Sequence, residues 1–318
     1  MKAREDLLIR AAELYFDQEL SQNDVANILG ISRPTVSRLL DEAKATGIVE
    51  IRVNSPIVKN PALSAEVRNL FGLKDAIVLK GTYGYQQSLF RCSRAALSFC
   101  ETILERSMTI GTSWGAVPSY LCDILETSEI DHSLFNIDIV QMVGCLGTGN
   151  PDVDGITIAL RLAKAFGGTY SNIYAPVFVQ YKEVYDFLLK EPQIAQTLKK
   201  CENLDIAIMG IGSFDRSTIL QKAGYLSDSS RQALIEAGAV GHLLARPFDK
   251  DGNEIFNDSR HTVGAPLSST RNAKWSICVS AAEFKAPALH AAILGGYTNV
   301  VVIDEPLATA LIALGNKA

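Results

Sequence analysis

Two hydrophobic patterns divide the chain. Over residues 4–45, apolar residues recur every three or four positions, which predicts short amphipathic helices. From residue 76 onward, short apolar runs alternate with segments of helical periodicity. Strands that are apolar on both faces and separated by helices are typical of a mostly parallel sheet covered on both sides. The pattern therefore predicts a small helical domain followed by a larger, doubly wound α/β domain.

The boundaries of these domains follow from the same pattern. Two prolines among polar residues mark a linker at 54–61, and a helix from Pro61 ends at Gly72. We therefore predict a first domain at 1–55, a linker and helix at 56–72, and a second domain at 73–318. The predicted strands of the second domain are 76–79, 108–110, 137–143, 170–178, 204–209, 275–279 and 300–303. The predicted helices between them include 88–105, 155–166, 182–189, 227–237, 286–294 and 306–314.

Residues 21–40 have the features of a helix-turn-helix. Ser21, with Asp24 three residues on, predicts the start of one helix, and Ser32 with Pro34 predicts the start of a second. Gly30 between them provides the backbone freedom of a tight turn. An ordinary helical hairpin is the alternative interpretation. The residues expected to face a small core, which a first helix at 4–17 would complete, are Val25, Ile28, Leu29, Val36, Leu39, Leu40 and Ala43.

The outward side of the second helix carries residue types that read DNA. Arginine binds guanine edges in the major groove, and serine or threonine holds phosphates. Residues 47–53 alternate apolar and polar, which predicts a strand-like wing beside the helix-turn-helix. The candidate DNA-contacting residues are Ser32, Arg33, Pro34, Thr35, Ser37, Arg38, Lys44 and, on the wing, Arg52.

Charge and cysteine content narrow the function. Residues 1–60 hold eight Lys/Arg against nine Asp/Glu, so any DNA-binding surface is local and several modules must act together. The formal net charge of -5 argues against a protein that coats nucleic acid. The six scattered cysteines favour reduced thiols over a metal site. With no signal peptide and no membrane-spanning run in the sequence, we expect a cytoplasmic protein without metal or cofactor.

Turns rich in glycine or hydroxyl groups follow several predicted strands. They lie at 111–115, 144–149 and 210–213, and the turn at 280–285 places a lysine before a helix. The carboxyl ends of parallel strands gather at one sheet edge, where backbone amides and helix N-termini bind anions. The sequence therefore predicts a site for a phosphorylated or polyhydroxy small molecule. Its candidate residues are Gly111, Thr112, Ser113, Gly144, Gly147, Thr148, Gly210, Gly212, Ser213, Glu283 and Lys285.

Taken together, these segments resemble the SorC family of bacterial transcriptional regulators, which includes central glycolytic gene and deoxyribonucleoside regulators. The resemblance covers nearly the whole chain, and the order and spacing of many blocks make it specific. These blocks are 29–40, 71–78, 111–115, 140–147, 174–177, 210–213, 223–226, 238–241, 248–252, 285–286 and 298–305.

The resemblance implies a fold like that of sugar-phosphate isomerases and glucosamine phosphate deaminases, used for sensing. It also implies a homotetramer on operator DNA that a sugar or sugar phosphate releases or rearranges. The phosphate-holding turn would fall on 111–113, and the ligand-contacting lysine on Lys285. The chain departs from relatives at Val143, where some carry a basic residue, and at His242, where many carry Asp. His242 is therefore either a ligand contact or a packed histidine.

Two other functions stay open on the sequence alone. One is an active sugar-phosphate isomerase or deaminase fused to a DNA-binding module. Such an enzyme needs a carboxylate base against the substrate, and Glu283 and Asp249 are the acids that the sequence places near the predicted site. The other is a protein–protein module in which the arginines of 33–44 form a solvated helix face.

Overall fold

The structure is a computed structural model that describes residues 2–49, 57–147, 149–215, 218–255 and 260–317. The chain divides into two compact units, Met1–Pro56 and Ile57–Ala318. Arg52, predicted to contact DNA, and Thr148, predicted to bind the effector, lie outside the described residues. No helix of the described part is long and apolar enough to cross a membrane.

The first unit is a bundle of helices. Its elements are α1 (Lys2–Ala12), a π-helical segment (Glu13–Asp17), α2 (Gln22–Leu29) and α3 (Arg33–Ala45). Ser21 caps α2 by accepting from the Asp24 amide at 3.2 Å, and Ser32 caps α3 by accepting from the Thr35 amide at 3.4 Å. Gly30 ends α2 in the left-handed conformation, with φ of 64°. The predicted helix-turn-helix is confirmed, because its caps and turn are local features that the sequence specifies.

The core of this unit contains the predicted stripe of α3, packed on α1 and α2. Ile28 is the exception, since 55% of it is exposed. The inward face of α2 is defined by Val25, Ala26 and Leu29, and Ile28 lies roughly 100° away around the helix. Residues 47–49 form a turn and bend in which the Val49 amide donates to Ala43 O at 3.0 Å. The rest of the predicted wing lies outside the described residues.

The second unit alternates strands and helices. Its helices are α4 (Pro61–Phe71), α5 (Tyr85–Ile103), α6 (Ala116–Glu126), α7 (Gly155–Ala165), α8 (Lys182–Leu188), α9 (Pro192–Lys200), α10 (Ile219–Lys222), α11 (Asp228–Glu236), α12 (Ser268–Asn272), α13 (Ala286–Leu294) and α14 (Glu305–Gly315). Its strands are β1 (Asp75–Leu79), β2 (Thr109–Thr112), β3 (Asp138–Gln141), β4 (Thr169–Ser171), β5 (Phe178–Val179), β6 (Ile206–Gly210), β7 (Gly212–Ser213), β8 (Gly241–Leu243), β9 (Arg246–Phe248), β10 (His261–Thr262), β11 (Trp275–Val279) and β12 (Val300–Asp304).

Seven of these strands form one parallel sheet in the order β1-β12-β11-β6-β2-β3-β4. Successive residues of β12 belong to two separate hydrophobic clusters, with Val301 and Ile303 in one and Val300 and Val302 in the other. Side chains of a strand alternate between the faces of its sheet, so the two clusters lie on opposite faces. The predicted doubly wound architecture is confirmed.

The order of the strands creates a switch point between β2 and β6. These strands are neighbours, with Gly111 opposite Ala207 and Thr112 opposite Ile208. From β2 the sheet continues to β3 on one side, and from β6 it continues to β11 on the other. The loops after β2 and β6 therefore leave in opposite directions, which opens a crevice at their carboxyl ends, the usual ligand position in such sheets.

Smaller elements accompany this edge and were not predicted. Strands β7, β8 and β9 form an antiparallel sheet, and β5 pairs with β10. The strand predicted at 170–178 is confirmed only at its two ends, in β4 and β5, because the chain leaves the large sheet after β4. Its continuation pairs with Cys145 instead, through Cys145 N to Ala175 O at 2.7 Å and Val177 N to Cys145 O at 3.0 Å.

Candidate functional site

In the first unit, the predicted DNA-contacting residues lie at the N-terminal end and on the solvent side of α3. Arg33, Pro34 and Arg38 are exposed, and Ser37 is half-buried. The exposed Ser32 and Thr35 place their hydroxyl oxygens 2.8 Å apart at the start of the helix. This arrangement presents cations and hydroxyl groups on one surface.

The charges around α3 leave its arginines available. Arg4 of α1 forms a bidentate pair with Glu42, with N–O distances of 3.0 and 2.7 Å, which neutralises an acid on α3. Among the described residues, no acidic side chain forms an ion pair with Arg33 or Arg38. Lys44 lies at the far end of the helix, 4.0 Å from Asp41 and over the Phe16 ring.

In the second unit, the turn after β2 holds a buried hydroxyl at the switch point. Thr112 is fully buried, and its Oγ1 has no hydrogen-bond partner among the described residues. Ser113, also buried, donates to Trp114 O at 3.3 Å. Helix α6 starts at Ala116, and no described side chain caps its N-terminus. An unsatisfied hydroxyl beside the positive end of a helix suits an anionic or hydroxylated ligand.

Two contacts that the sequence did not predict position the neighbouring turns. Trp114 Nε1 donates to Gly144 O at 3.0 Å, which ties the turn after β2 to the one after β3. The Gly147 amide donates to Asp154 Oδ2 at 3.1 Å, and Asp154 also caps α7. The tryptophan in the turn at 111–115 is the one sequence signal that points to this coupling.

Four of the predicted glycines sit against other protein atoms. A Cβ on Gly111 would lie 2.5 Å from Leu204 Cδ1, and one on Gly144 would lie 2.7 Å from Ala175 O. A Cβ on Gly210 would lie 3.1 Å from Val117 Cγ2, and one on Gly212 would overlap the His242 ring. Packing therefore accounts for these glycines, and their contact with a ligand stays a prediction.

Lys285 is a buried cation at this edge. Its Nζ donates to Ile211 O, just beyond β6, at 2.9 Å, and burial lowers its pKa to about 8. No carboxylate of the described residues forms an ion pair with it, and its Nζ lies over the Phe284 ring, 5.3 Å from the centroid. Asp304 supports the preceding turn by accepting from the Ala282 amide at 3.0 Å, where φ is 72°. An unpaired buried charge is costly, so an anion bound here would stabilise the folded state.

His242 lies beside this lysine. It is 5% exposed, its Nε2 has no partner among the described residues, and its ring centroid is 5.5 Å from that of Phe214. Burial first, and then the charge of Lys285, lower its pKa to about 3. His242 is therefore neutral at physiological pH and offers one ring nitrogen to a ligand or water.

The remaining predicted residues have different surroundings. Ser213 Oγ donates to Phe284 O at 3.5 Å and accepts from the Asp215 amide at 3.2 Å, so it fixes the turn after β7. Glu283 is exposed, in a short 3-10 turn that precedes α13. The structure thus brings Lys285, His242 and Ser213 together near the end of β6, with Thr112 on the adjacent strand.

Behind His242 lies a cavity of about 270 Å³ that the sequence did not predict. Its walls come from several separate segments, so no local pattern identifies them. The lining residues are Phe178, Tyr185, Phe214, Leu220, Leu226, Leu234, His242, Ala245, Arg246, Pro247, Glu254, Ile255, Arg260, His261 and Thr262.

The cysteines are free thiols. Cys145 is half-buried and the other five are buried, which raises the pKa of every one. Within the described ranges, no group of three or more His, Cys, Asp or Glu side chains is arranged to hold a metal ion.

Comparison with known proteins gives matches over both units. Residues 55–313 match the family described as "Putative sugar-binding domain", and residues 4–63 match the Crp-like helix-turn-helix domain. The deoxyribonucleoside regulator of Bacillus subtilis is 29% identical over 98% of each chain. The transcriptional regulator LsrR of Klebsiella pneumoniae is 28% identical over 99% of this chain and 95% of its own.

Solved structures show the same fold. The full-length sorbitol operon regulator SorC from Klebsiella pneumoniae superposes with a TM-score of 0.71 over 97% of this chain and 99% of its own, at 24% identity. The resemblance to SorC-type regulators that the sequence predicts is confirmed.

Proposed function

This chain belongs to the sugar-binding domain family matched by residues 55–313, and we propose that it is a DNA-binding transcriptional regulator of a carbohydrate-catabolism operon. A sugar or sugar phosphate bound to the second unit controls it. The observation that carries the effector site is the buried cation of Lys285, which forms no ion pair among the described residues and lies near the unpartnered Nε2 of His242. The unpartnered hydroxyl of Thr112 belongs to β2, the strand next to β6. Operator DNA is the second partner, and the cytoplasm is where the protein acts.

The charge of Lys285 favours a phosphorylated effector over a neutral sugar. A phosphate carries nearly two negative charges and needs several donors when it is buried. On the β2 side of β6, the hydrogen-bond donors are the buried hydroxyls of Thr112 and Ser113 and the N-terminal amides of α6. Lys285 supplies a positive charge from the other side of β6. Val143, where some relatives carry a basic residue, is buried and apolar, so a neutral sugar is the alternative.

We assign sensing rather than catalysis to this site. Glu283, the acid nearest Lys285 in sequence, is exposed in its 3-10 turn. Asp249 accepts from the amides of Asn253 and, with a smaller effect, Asp251 in its own turn, which lowers its pKa and weakens it as a base. A turnover assay on sugar phosphates tests this assignment, and product formation that is lost in Lys285→Ala would favour the isomerase or deaminase alternative.

We also propose that the regulator is a homo-oligomer, as a tetramer on DNA. Tyr181, Val184 and Phe187 are spaced three residues apart on and before α8 and are 68%, 43% and 69% exposed. A solvent-exposed apolar stripe of this kind supports contact with another copy of the chain. Assembly would also raise the affinity of individually weak DNA contacts.

A thermal-shift screen of sugars and sugar phosphates on the full chain tests the effector site. A ligand that binds only the folded state raises the melting temperature. Lys285→Ala should weaken a phosphorylated hit by about 1.5–3 kcal/mol in isothermal titration, as expected for a charge-assisted hydrogen bond. Lys250→Ala is the matched control, because Lys250 is exposed and pairs with Asp251. Equal affinities for the wild type and Lys285→Ala would remove Lys285 from the site.

A mobility-shift assay with DNA from upstream of the gene tests the regulator assignment. The full chain should shift this DNA, and the hit from the thermal screen should change the shift. If a folded protein that binds the effector did not bind this DNA, the alternative of a protein–protein module would be favoured.

A further inference from the structure

The cavity behind His242 is large enough for a substantial chemical group. An apolar cavity of about 150 Å³ is known to hold a benzene ring, and the volume here is about 270 Å³. Pockets that are mostly apolar with a few polar groups are the usual sites for small molecules. The cavity therefore has room for an aromatic ring or a branched alkyl group.

The polar side chains in its wall already have partners. Arg246 is bonded to Glu254 at 2.8 Å and to the carbonyl oxygens of Ala265, Thr262 and Gly264. Such an arginine has little left to offer a phosphate, and the hydroxyl groups of a sugar ring would find few free donors beside it.

The other charged and aromatic groups are engaged in the same way. Arg260 donates to Tyr225 O at 2.5 Å and lies over the Phe178 ring, 5.4 Å from its centroid. His261 packs against Tyr185 with ring centroids 5.3 Å apart. The surface that remains for a ligand is mainly aliphatic and aromatic, so apolar burial is the interaction that this cavity provides.

His242 joins the cavity to the proposed effector site. It lines the cavity beside Phe214, and its ring fills the space over Gly212 next to the charge of Lys285. Its unpartnered Nε2 is the one buried side-chain polar atom on the cavity wall, within the described residues, that lacks a hydrogen bond. A ligand that extends from Lys285 past His242 would thus enter the apolar space.

We infer that the effector is a sugar derivative with an apolar substituent, such as an aryl or alkyl glycoside, and that the substituent occupies the cavity behind His242. This inference rests on the proposed sugar-effector function. It makes the cavity a specificity site that selects the substituted sugar over the bare sugar phosphate.

The first experiment tests the cavity without any sugar. N-phenyl-1-naphthylamine, a neutral apolar fluorophore, is titrated into the full chain. We expect one saturable site that Leu234→Trp weakens by at least about tenfold, because the larger ring fills the cavity. Ile235→Trp on the same helix is the matched control, since Ile235 is exposed and does not line the cavity. Leu226→Phe is a second filling variant, and melting curves establish that each variant folds.

The second experiment links the cavity to the effector. Glucose 6-phosphate and galactose 6-phosphate are each compared with the corresponding phenyl β-glycoside 6-phosphate by isothermal titration. The phenyl compound should bind at least about tenfold more tightly to the wild type and to Ile235→Trp, and this gain should vanish in Leu234→Trp.

The outcomes separate the two proposals. Absence of saturable fluorophore binding, or equal binding to folded Leu234→Trp, overturns the cavity site whatever the sugars do. A phenyl gain that persists in Leu234→Trp also overturns it. Saturable, Leu234-dependent fluorophore binding with no response to any sugar phosphate in the wider screen would instead keep the cavity and overturn the sugar effector.

Discussion

Replacing Lys285 by methionine should stabilise the free protein at neutral pH. Methionine keeps the apolar stem but removes the ammonium group, which is buried and donates only to Ile211 O among the described residues. Burial lowers the pKa of Lys285 from its ordinary 10.5 to about 8. Below pH 8 the folded wild type therefore carries a charge that its surroundings disfavour.

The size of the effect follows from that pKa difference. At about 1.4 kcal/mol for each pH unit, a difference of 2.5 between 10.5 and 8 corresponds to about 3 kcal/mol of destabilisation. Loss of the hydrogen bond to Ile211 O lowers the stability of the variant by about 1 kcal/mol. The net expectation is a variant that is more stable than the wild type by about 2 kcal/mol at pH 7.

The sign of the pH dependence gives the sharper test. Between pH 8 and 10.5 the unfolded wild type still binds the proton that the folded state has released, so wild-type stability rises with pH relative to the variant. Urea unfolding at several pH values, followed by the fluorescence of Trp114 and Trp275, reports on the second unit, which contains both tryptophans. Lys250→Met should show no such gap. If Lys285→Met were less stable than the wild type by the same amount at every pH from 7 to 10, the proposal that the buried charge of Lys285 destabilises the folded state would be refuted.

Arg38→Ala should abolish specific operator binding with little effect on the melting temperature, since a base-contacting arginine contributes about 1–3 kcal/mol per site. Arg10→Ala is the control. If Arg38→Ala shifted operator DNA as well as the wild type does, Arg38 would not lie in the groove. The fragment Ile57–Ala318 should fold, assemble and bind effector without binding DNA, whereas a monomeric or aggregated fragment would show that assembly needs the first unit. His242→Gln should reduce the loss of stability on acidification by about 2 kcal/mol at pH 5. The pKa of His242 is about 3 in the folded state and 6.5 in the unfolded state, so the wild type loses stability as the pH falls through that range. An unchanged pH profile in the variant would contradict a buried, neutral His242.

The sequence predicts the parts of this fold that depend on local chemistry. The caps at Ser21 and Ser32 and the left-handed Gly30 fix the helix-turn-helix within a few residues. Six of the seven apolar runs coincide with strands of the large sheet, and the helix predicted at 286–294 has the bounds of α13. These signals suffice because a buried parallel strand needs a continuous apolar run.

Some elements give no clear signal in the sequence. Helix α6 follows Gly115 and carries Pro118 in its first turn, so its start resembles a loop in sequence. The paired strands β7, β8 and β9 span only two or three residues each, too short for any periodicity to be visible.

Two glycines show the same limit at the site. The sequence suggests that Gly144 and Gly212 make room for a ligand, but the space beside them holds the Ala175 carbonyl and the His242 ring. Only the tertiary structure reveals which neighbour a glycine accommodates.

The position of β12 has a consequence for how the protein is made. This strand, near the end of the chain, lies between β1 and β11, and Asp75 pairs with Val300. During synthesis the first unit can fold as soon as it leaves the ribosome. One edge of β1 can pair early with residues 58–60, but the edge that β12 covers stays unpaired until almost the entire chain has been made. DNA-binding capacity thus arises before the sensor that controls it. A nonsense mutation before residue 300 would leave the nascent sensor without its closing strand and prone to aggregation.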